Sequence, residues 1–372
     1  MLGNLLLTSL LVILPAQDKP APLPTLDPER AKAMTEIFEE WQKVEMEKLL
    51  PAMQKAKSTD EAKKIALEIL RPYPAKLIKL GQDKPADPVA FECFMGAIGI
   101  SNQIDDSKTT DQAVDLLFKH HKGSERLGIF CQLLAGHAMA DGEKLLERIE
   151  KESTNAAVKG QAAMALARFY TDIAENAGVP ADERKEAFAK AESAFARVLK
   201  DYAKEKGPYG NSLGETAAAL SSVIVGKVAP DAKAKDLDGK PVSLADHKGK
   251  VVVLDIWATW CGPCKAMIPH ERKMVEKFKD KPFVLISVSG DYKPETVKEF
   301  LKKEPMPWVH WVGGTEPDSI LGKWCVHFFP SMIYVIDSKG VIRYKHLREG
   351  DLEKAVAELE KAVAELLAEV KN

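Results

Sequence analysis

The chain is predicted to hold two folds: an all-α N-terminal part and an α/β C-terminal part, thioredoxin-like in its element order, with a central mixed sheet flanked by helices. Three observations predict this. From about residue 28 to 225 one amphipathic helical stretch follows another without a convincing strand. From 226 onward, short β-branched runs alternate with helical ones, the pattern of a largely parallel sheet. At the first strand-to-helix junction the chain reads Val251-Val-Val-Leu-Asp-Ile-Trp-Ala-Thr-Trp260-Cys261-Gly262-Pro263-Cys264-Lys265, two thiols at the start of a helix.

Composition narrows the function classes. A length of 372 residues suits two domains beyond any targeting segment. The formal net charge of -2 gives no reason to expect nucleic acid as a partner. The 5 cysteines are Cys93, Cys131, Cys261, Cys264 and Cys325, too few for a disulfide-built scaffold.

Taken in order, Leu5–Ala16 is an apolar block whose length suits the core of a signal peptide, so 1–16 is read as one. Its flank lacks Lys and Arg, and Leu14 with Ala16 form the cleavage pair. No Cys follows it for a lipid anchor, and an uncleaved block would tether the chain to a membrane only weakly. The localisation expected is therefore exported, in the periplasm or cell envelope. Residues 17–27 are polar and Pro-rich, an extended linker. Asp27-Pro28 opens the first helix, expected over 31–57 with a break near Pro51. Ser58-Thr-Asp-Glu61 is a capping box into 62–70. Helices are expected over 88–100, 110–121, 125–140, 142–153, 155–176, 181–206 and 212–226. Leu166–Tyr170 followed by Ala191–Phe195 pairs large residues with small ones, as a tetratricopeptide unit does; an irregular bundle is the alternative. Cys93 and Cys131 sit in apolar helical stretches as buried thiols, and His120-His121 reads as a solvated helix end.

The second part, 226–372, opens with a hairpin over 232–244 turning at Asp238-Gly239. The central strand is Val251–Ile256 and the next helix 261–279, with Pro269 inside it. A strand at 283–289, a helix at 294–304 capped by Asp291 or Lys293, a strand at 308–312 and a short helix at 319–324 follow. Strands at 332–337 and 341–346 turn at Ser338-Lys-Gly340. The last helix repeats Glu-Lys-Ala-Val-Ala-Glu-Leu, and its apolar seam (Leu352, Val356, Leu359, Val363, Leu366, Val370) is expected to cover the sheet rather than pair two chains.

The cysteine spacing carries chemistry. Thiols at i and i+3 lie on one face of a helical turn and can close a disulfide with little backbone movement. Cys261 at the helix N-terminus meets free N–H groups and the positive end of the dipole, which favour its thiolate, the nucleophile. Cys264, one turn in, is placed to attack the Cys261 sulfur in a mixed disulfide. Pro263 fits the first turn, where a missing N–H costs nothing. A zinc site would need a second ligand pair, and His247 and His270 fit no metal spacing, so no metal is expected.

Trp-Ala-Thr-Trp-Cys-Gly-Pro-Cys-Lys resembles the thioredoxin active site. Ala229-Pro-Asp231, Asp236-Leu-Asp-Gly239, Val242-Ser-Leu244 and Lys248-Gly-Lys250 resemble the TlpA/ResA-like branch of that fold, related to the peroxiredoxins. Phe329-Pro330-Ser331 before Tyr334-Val-Ile-Asp337 matches the segment around the family's cis-proline. The resemblance covers about 226–372 and leaves the first 225 residues untouched. It implies a thiol–disulfide oxidoreductase with Cys261, Cys264 and Asp255 as catalytic residues and no cofactor besides the Cys261–Cys264 disulfide. Asp255 matches an acid buried behind the disulfide, where burial raises a carboxyl pKa and fits it to take the Cys264 proton. Trp260, Gly262, Pro263, Phe329 and Pro330 would line the substrate contact, with the backbone of Phe329 open to strand addition. Met267 departs from the branch, which commonly carries Glu three residues after the second Cys. Gly-Pro between the cysteines resembles the reducing members. The partners implied are disulfide-containing proteins as substrates and a membrane thiol–disulfide transporter as electron donor; the helical part would bind a protein partner of its own.

Two other readings were weighed. A peroxiredoxin-like peroxidase wants Pro-x-x-x-Thr-x-x-Cys, and here Thr259 stands two residues before Cys261 with no proline at the required place. A helical adaptor carrying a passive thioredoxin module conflicts with an intact Cys pair, Asp255 and Pro330.

Overall fold

The computed structural model describes residues 26–136, 141–176, 178–207, 210–314, 316, 318–324, 332–345 and 352–370. Leu5–Ala16, Cys325, Phe329 and Pro330 lie outside the described residues. By its internal contacts the chain divides into two units, Met1–Ser124 and Glu125–Asn372.

The described part of the first unit is helical. Helix α1 (Pro28–Val44) starts where the Asp27 side chain accepts from the Arg30 amide. It runs into a single π-helical turn, Glu45–Leu49, and then α2 (Leu50–Lys55). The break expected at Pro51 is absent. The wider turn precedes the proline, which falls in the first turn of α2, where its missing N–H is tolerated. Ser58 caps α3 (Thr59–Leu70), accepting from the Glu61 amide, while Glu61 reaches back to the Lys57 amide rather than to that of Ser58. Helix α4 (Pro72–Asp83) falls in a stretch to which the sequence assigned no element; Pro72 and Pro74 both sit in its first turn. Helices α5 (Pro88–Gln103) and α6 (Ser107–His121) complete the unit, with Leu70, Leu77, Phe94, Ile98, Ile100 and Leu117 sealed in its core. His121 corrects an expectation. It is buried edge-on to Phe91 and Phe94, and burial lowers its pKa, so this helix end is not solvated.

The second unit opens with α7 (Leu127–Gly136), α8 (Gly142–Glu152), α9 (Ala156–Glu175), α10 (Ala181–Asp201) and α11 (Leu213–Ser222). Helices α9 and α10 pack together through small residues: Ala162, Ala163, Ala167, Ala187, Ala191 and Ala194 are all buried. That brings the axes close and leaves Leu166, Tyr170 and Phe195 to fill the margins.

Cys93 and Cys131 are free and buried. Burial pushes the Cys93 thiol up to about 12 and raises that of Cys131 as well. Neither thiolate forms near neutrality, so iodoacetamide is expected to label both only after unfolding, as read by peptide mass spectrometry; labelling of the native protein at either would contradict the burial.

The sheet has seven strands in the order β2-β1-β5-β4-β3-β6-β7: β1 (Ala234–Asp236), β2 (Pro241–Val242), β3 (Val251–Trp257), β4 (Phe283–Ser289), β5 (Val309–Val312), β6 (Met332–Ile336) and β7 (Ile342–Lys345). The central β3, β4 and β5 are parallel, and the outer strands run antiparallel to their neighbours. The hairpin between β1 and β2 turns through Gly239 at φ 84°, which an L side chain resists. β3 is buried along its whole length, as its unbroken apolar run requires.

Strand alternation sorts the core. Val252, Leu254 and Ile256 pack with Trp311 and Trp324 on one face. Val251 and Val253 pack on the other with Met267, Met274 and Phe278 of α12 (Gly262–Phe278). Helix α13 (Pro294–Lys303) follows β4, and α14 (Ile320–Lys323) follows β5. The last helix, α15 (Leu352–Val370), lays Leu359, Val363, Leu366 and Leu367 onto that second face, so its apolar seam covers the sheet.

The change from helix to sheet near 226 falls inside the second unit. Val223, just past α11, joins the sheet's core, and the Gly226 amide donates to the Ile342 carbonyl. Lys345 on β7 and Glu175 at the end of α9 form an ion pair at 2.6 Å, both side chains at least nine-tenths buried. The other oxygen of Glu175 accepts from the Val225 amide at 2.9 Å.

Candidate active site

At the C-terminal end of β3 the chain turns through Ala258–Trp260 and enters α12 at Cys261, the N-cap residue. The turn is held at its base. The Asp291 carboxylate accepts from the Thr259 amide at 3.0 Å and from the Thr259 hydroxyl at 2.7 Å. Ser289 donates to the same carboxylate at 2.8 Å and accepts from the Asp291 amide at 2.9 Å. Of Asp291 and Lys293, the two expected caps of α13, Lys293 is the N-cap residue, without a side-chain hydrogen bond, and Asp291 clamps the cysteine turn instead.

Cys261 and Cys264 are disulfide-bonded, with Cα atoms 5.3 Å apart. The Cys264 amide points at the Cys261 sulfur, 3.2 Å away. That amide is one of the free donors of the helix start, so the sulfur sits where negative charge is favoured. In the disulfide form each cysteine is only 2% exposed. Trp257, Ala258, Ile268, Val297 and Met306 pack around the pair. The open surface belongs instead to Gly262, Pro263 and Trp260, the last 60% exposed. Tyr292, next to the Asp291 clamp, is 92% exposed. Nothing in the local sequence singled it out; only the clamp brings its loop to the cysteine turn.

Asp255, the carboxyl expected behind the pair, is 2% exposed and lies on the same face of β3 as Val251 and Val253. Ser287, its register partner on β4, donates to its carboxylate at 3.4 Å. Trp308 donates in turn to the Ser287 hydroxyl at 2.8 Å. Met267, fully buried, occupies the position where the resemblance led one to expect a Glu. One turn further, Glu271 is 1% exposed on the buried stripe of α12, a carboxyl that sequence reading passed over. Its signal was available: Glu271 lies seven residues beyond Cys264, two helical turns along the same face. Lys265, after the motif, is exposed. Among the described residues no group of three or more His, Cys, Asp or Glu is arranged to hold a metal ion.

The arrangement is a redox pair at a helix start, with a buried carboxyl behind it and exposed aromatic surface beside it. The family model that matches is Redoxin, over residues 224–363. The chain is 32% identical over 130 residues to the thiol-disulfide oxidoreductase ResA of Bacillus cereus, covering 35% of this chain and 73% of that protein. It is 32% identical over 124 residues to the thioredoxin-like protein YneN of Bacillus subtilis, covering 33% of this chain and 71% of that protein. Among solved structures, the thioredoxin domain of a thiol-disulfide oxidoreductase from Bacteroides vulgatus is 33% identical over 38% of this chain and 99% of its own, with a TM-score of 0.34. With the cysteine pair closed at the first turn of α12 and that degree of identity over most of ResA, the chain belongs to the ResA-type thiol-disulfide oxidoreductases.

Proposed function

We propose that this protein is an exported protein-disulfide reductase, in which Cys261 attacks and Cys264 resolves. The observation that carries the reading is the Cys264 amide directed at the Cys261 sulfur within a closed pair. After reduction the same amide stabilises a Cys261 thiolate, the species that attacks a substrate disulfide. The substrate's leaving thiolate departs and a mixed disulfide forms. Cys264 then loses its proton to Asp255 and attacks the Cys261 sulfur; the substrate leaves with two thiols and the Cys261–Cys264 bond re-forms.

Both sulfurs are equally buried in the closed pair, so the division of labour is supported by position: Cys261 is the N-cap of α12 and receives the Cys264 amide. Trp260, Gly262 and Pro263 supply the contact surface around Cys261, the sequence resemblance assigns Phe329 and Pro330 to the same substrate contact, and the substrate is a disulfide-containing protein. No cofactor beyond the cysteine pair is required. A membrane thiol–disulfide transporter returns the electrons, and the apolar block Leu5–Ala16 directs export to the periplasm or cell envelope, with residues 17–27 linking it to the helices. The helical region 28–225 presents the module at 226–372 to a protein partner.

Direction is set by potential. Equilibration of the pair against glutathione or dithiothreitol buffers is expected to give a value near about −270 mV, as for thioredoxin; a value near about −120 mV would make the protein an oxidant and overturn the reductase reading.

A further inference from the structure

The proton that leaves Cys264 needs an acceptor, and the structure offers more than Asp255. Asp255 on β3 is in register with Ser287 on β4, and Ser287 with His310 on β5. In a parallel sheet, residues in register project to the same face, so three polar side chains form a row across the central strands. Trp308 partly roofs this face, packing against the cluster that holds both cysteines and donating to Ser287.

The His310 ring is oriented. Its Nε2 lies 2.9 Å from the Met306 carbonyl, which can only accept, so Nε2 carries the hydrogen in the neutral ring. That leaves Nδ1 with its lone pair. Among the described residues this buried nitrogen has no hydrogen-bond partner. A buried nitrogen without a partner, two strands from a buried acid, calls for a functional explanation, and proton exchange with that acid is one.

We propose that His310 is a positioning residue for the resolving step: Asp255 and His310, on either side of Ser287, are coupled in their titration, and together they hold the proton given up by Cys264. The step balances. The Cys264 S–H proton passes to the Asp255 carboxylate, the Cys261–Cys264 bond forms, and the Cys261–substrate bond breaks with its electron pair on the substrate thiolate. His310 makes the acceptor available at lower pH, because a single proton in the row can then rest on Nδ1 and leave Asp255 ionised. Burial lowers the His310 pKa and the Asp255 charge opposes that fall, a coupling consistent with the geometry. Among the described residues, ionisable groups on this layer include Glu271, on the buried stripe of α12, Tyr344, which donates to Glu365, and Arg272, which is engaged by Glu304 and the Pro305 carbonyl. β4 contributes Ser287 alone to the row, and the nearby α13 side chains Val297, Phe300 and Leu301 are apolar.

This inference rests on the assignment of Cys264 as the resolving thiol, and the test separates the two. The reduced full-length protein is mixed rapidly with Ellman's reagent over a range of pH. Attack by Cys261 releases one equivalent of thionitrobenzoate, and resolution by Cys264 a second. In His310→Gln, which keeps an N–H for the Met306 carbonyl, the acid limb of the second phase is expected to move to higher pH, slowing resolution about tenfold on that limb and little above it. An unchanged profile, or uniform slowing at every pH, would overturn the role of His310 while leaving the enzyme assignment intact. Absence of a second equivalent in the wild type would remove both. Imidazole 15N spectra give a second readout that needs no His310 variant: Asp255→Asn is expected to lower the His310 titration midpoint, and an unmoved midpoint counts against the row.

Discussion

Cys261→Ser is expected to lower the rate of disulfide exchange by about four orders of magnitude or more, because a serine hydroxyl is not ionised where a thiolate is. Stability should change little, since the two side chains are nearly the same size and a disulfide across so short a loop restrains the unfolded chain weakly. The measurement is insulin reduction, or turnover of a small disulfide, at fixed protein concentration. Residual activity within tenfold of the wild type would end the nucleophile assignment and leave the adaptor reading standing. The companion variant Cys264→Ser should behave differently. It keeps the attacking thiol beside the helix-start amides and loses the group that releases the product. It is therefore expected to accumulate a mixed disulfide with its target, visible as a band lost on reduction and identifiable by mass.

The second large effect lies away from the cysteines. Glu175→Ala is expected to destabilise the second unit by about 3–5 kcal/mol, because it leaves the Lys345 ammonium and the Val225 amide without their buried partner. Thermal unfolding followed by circular dichroism would read this as a fall in Tm. Replacing both members, Glu175→Leu with Lys345→Met, should cost much less, since two apolar side chains need no compensation when buried. If the single and double changes cost the same, the pair is not a coupled unit. The effect matters for function because Lys345 lies on β7, beside β6, which pairs directly with the strand that bears Asp255.

The pattern of residues carried much of this molecule. β3 needed only its run of branched apolar side chains, and β4 was legible to the residue, because a strand buried on both faces has no other composition. The cysteine pair was legible because Cys-x-x-Cys at a strand-to-helix junction leaves few alternatives. Even the apolar seam of α15 announced its own burial. Helix α4 was lost for a local reason, since a proline at a helix start and one that breaks a helix look alike until the flanking turns are known.

What the amino-acid order determined by itself, then, is most of the elements and the cysteine pair, each encoded in a few neighbouring residues, while Asp255 came from the family resemblance. The tertiary structure alone decided which distant side chains meet: Asp291 at the Thr259 turn, His310 and Ser287 in line with Asp255, Glu175 against Lys345. The physical reason is range. Propensity and periodicity act within a helical turn or a strand, whereas a register across three strands or a buried ion pair exists only once packing has removed the water between its parts.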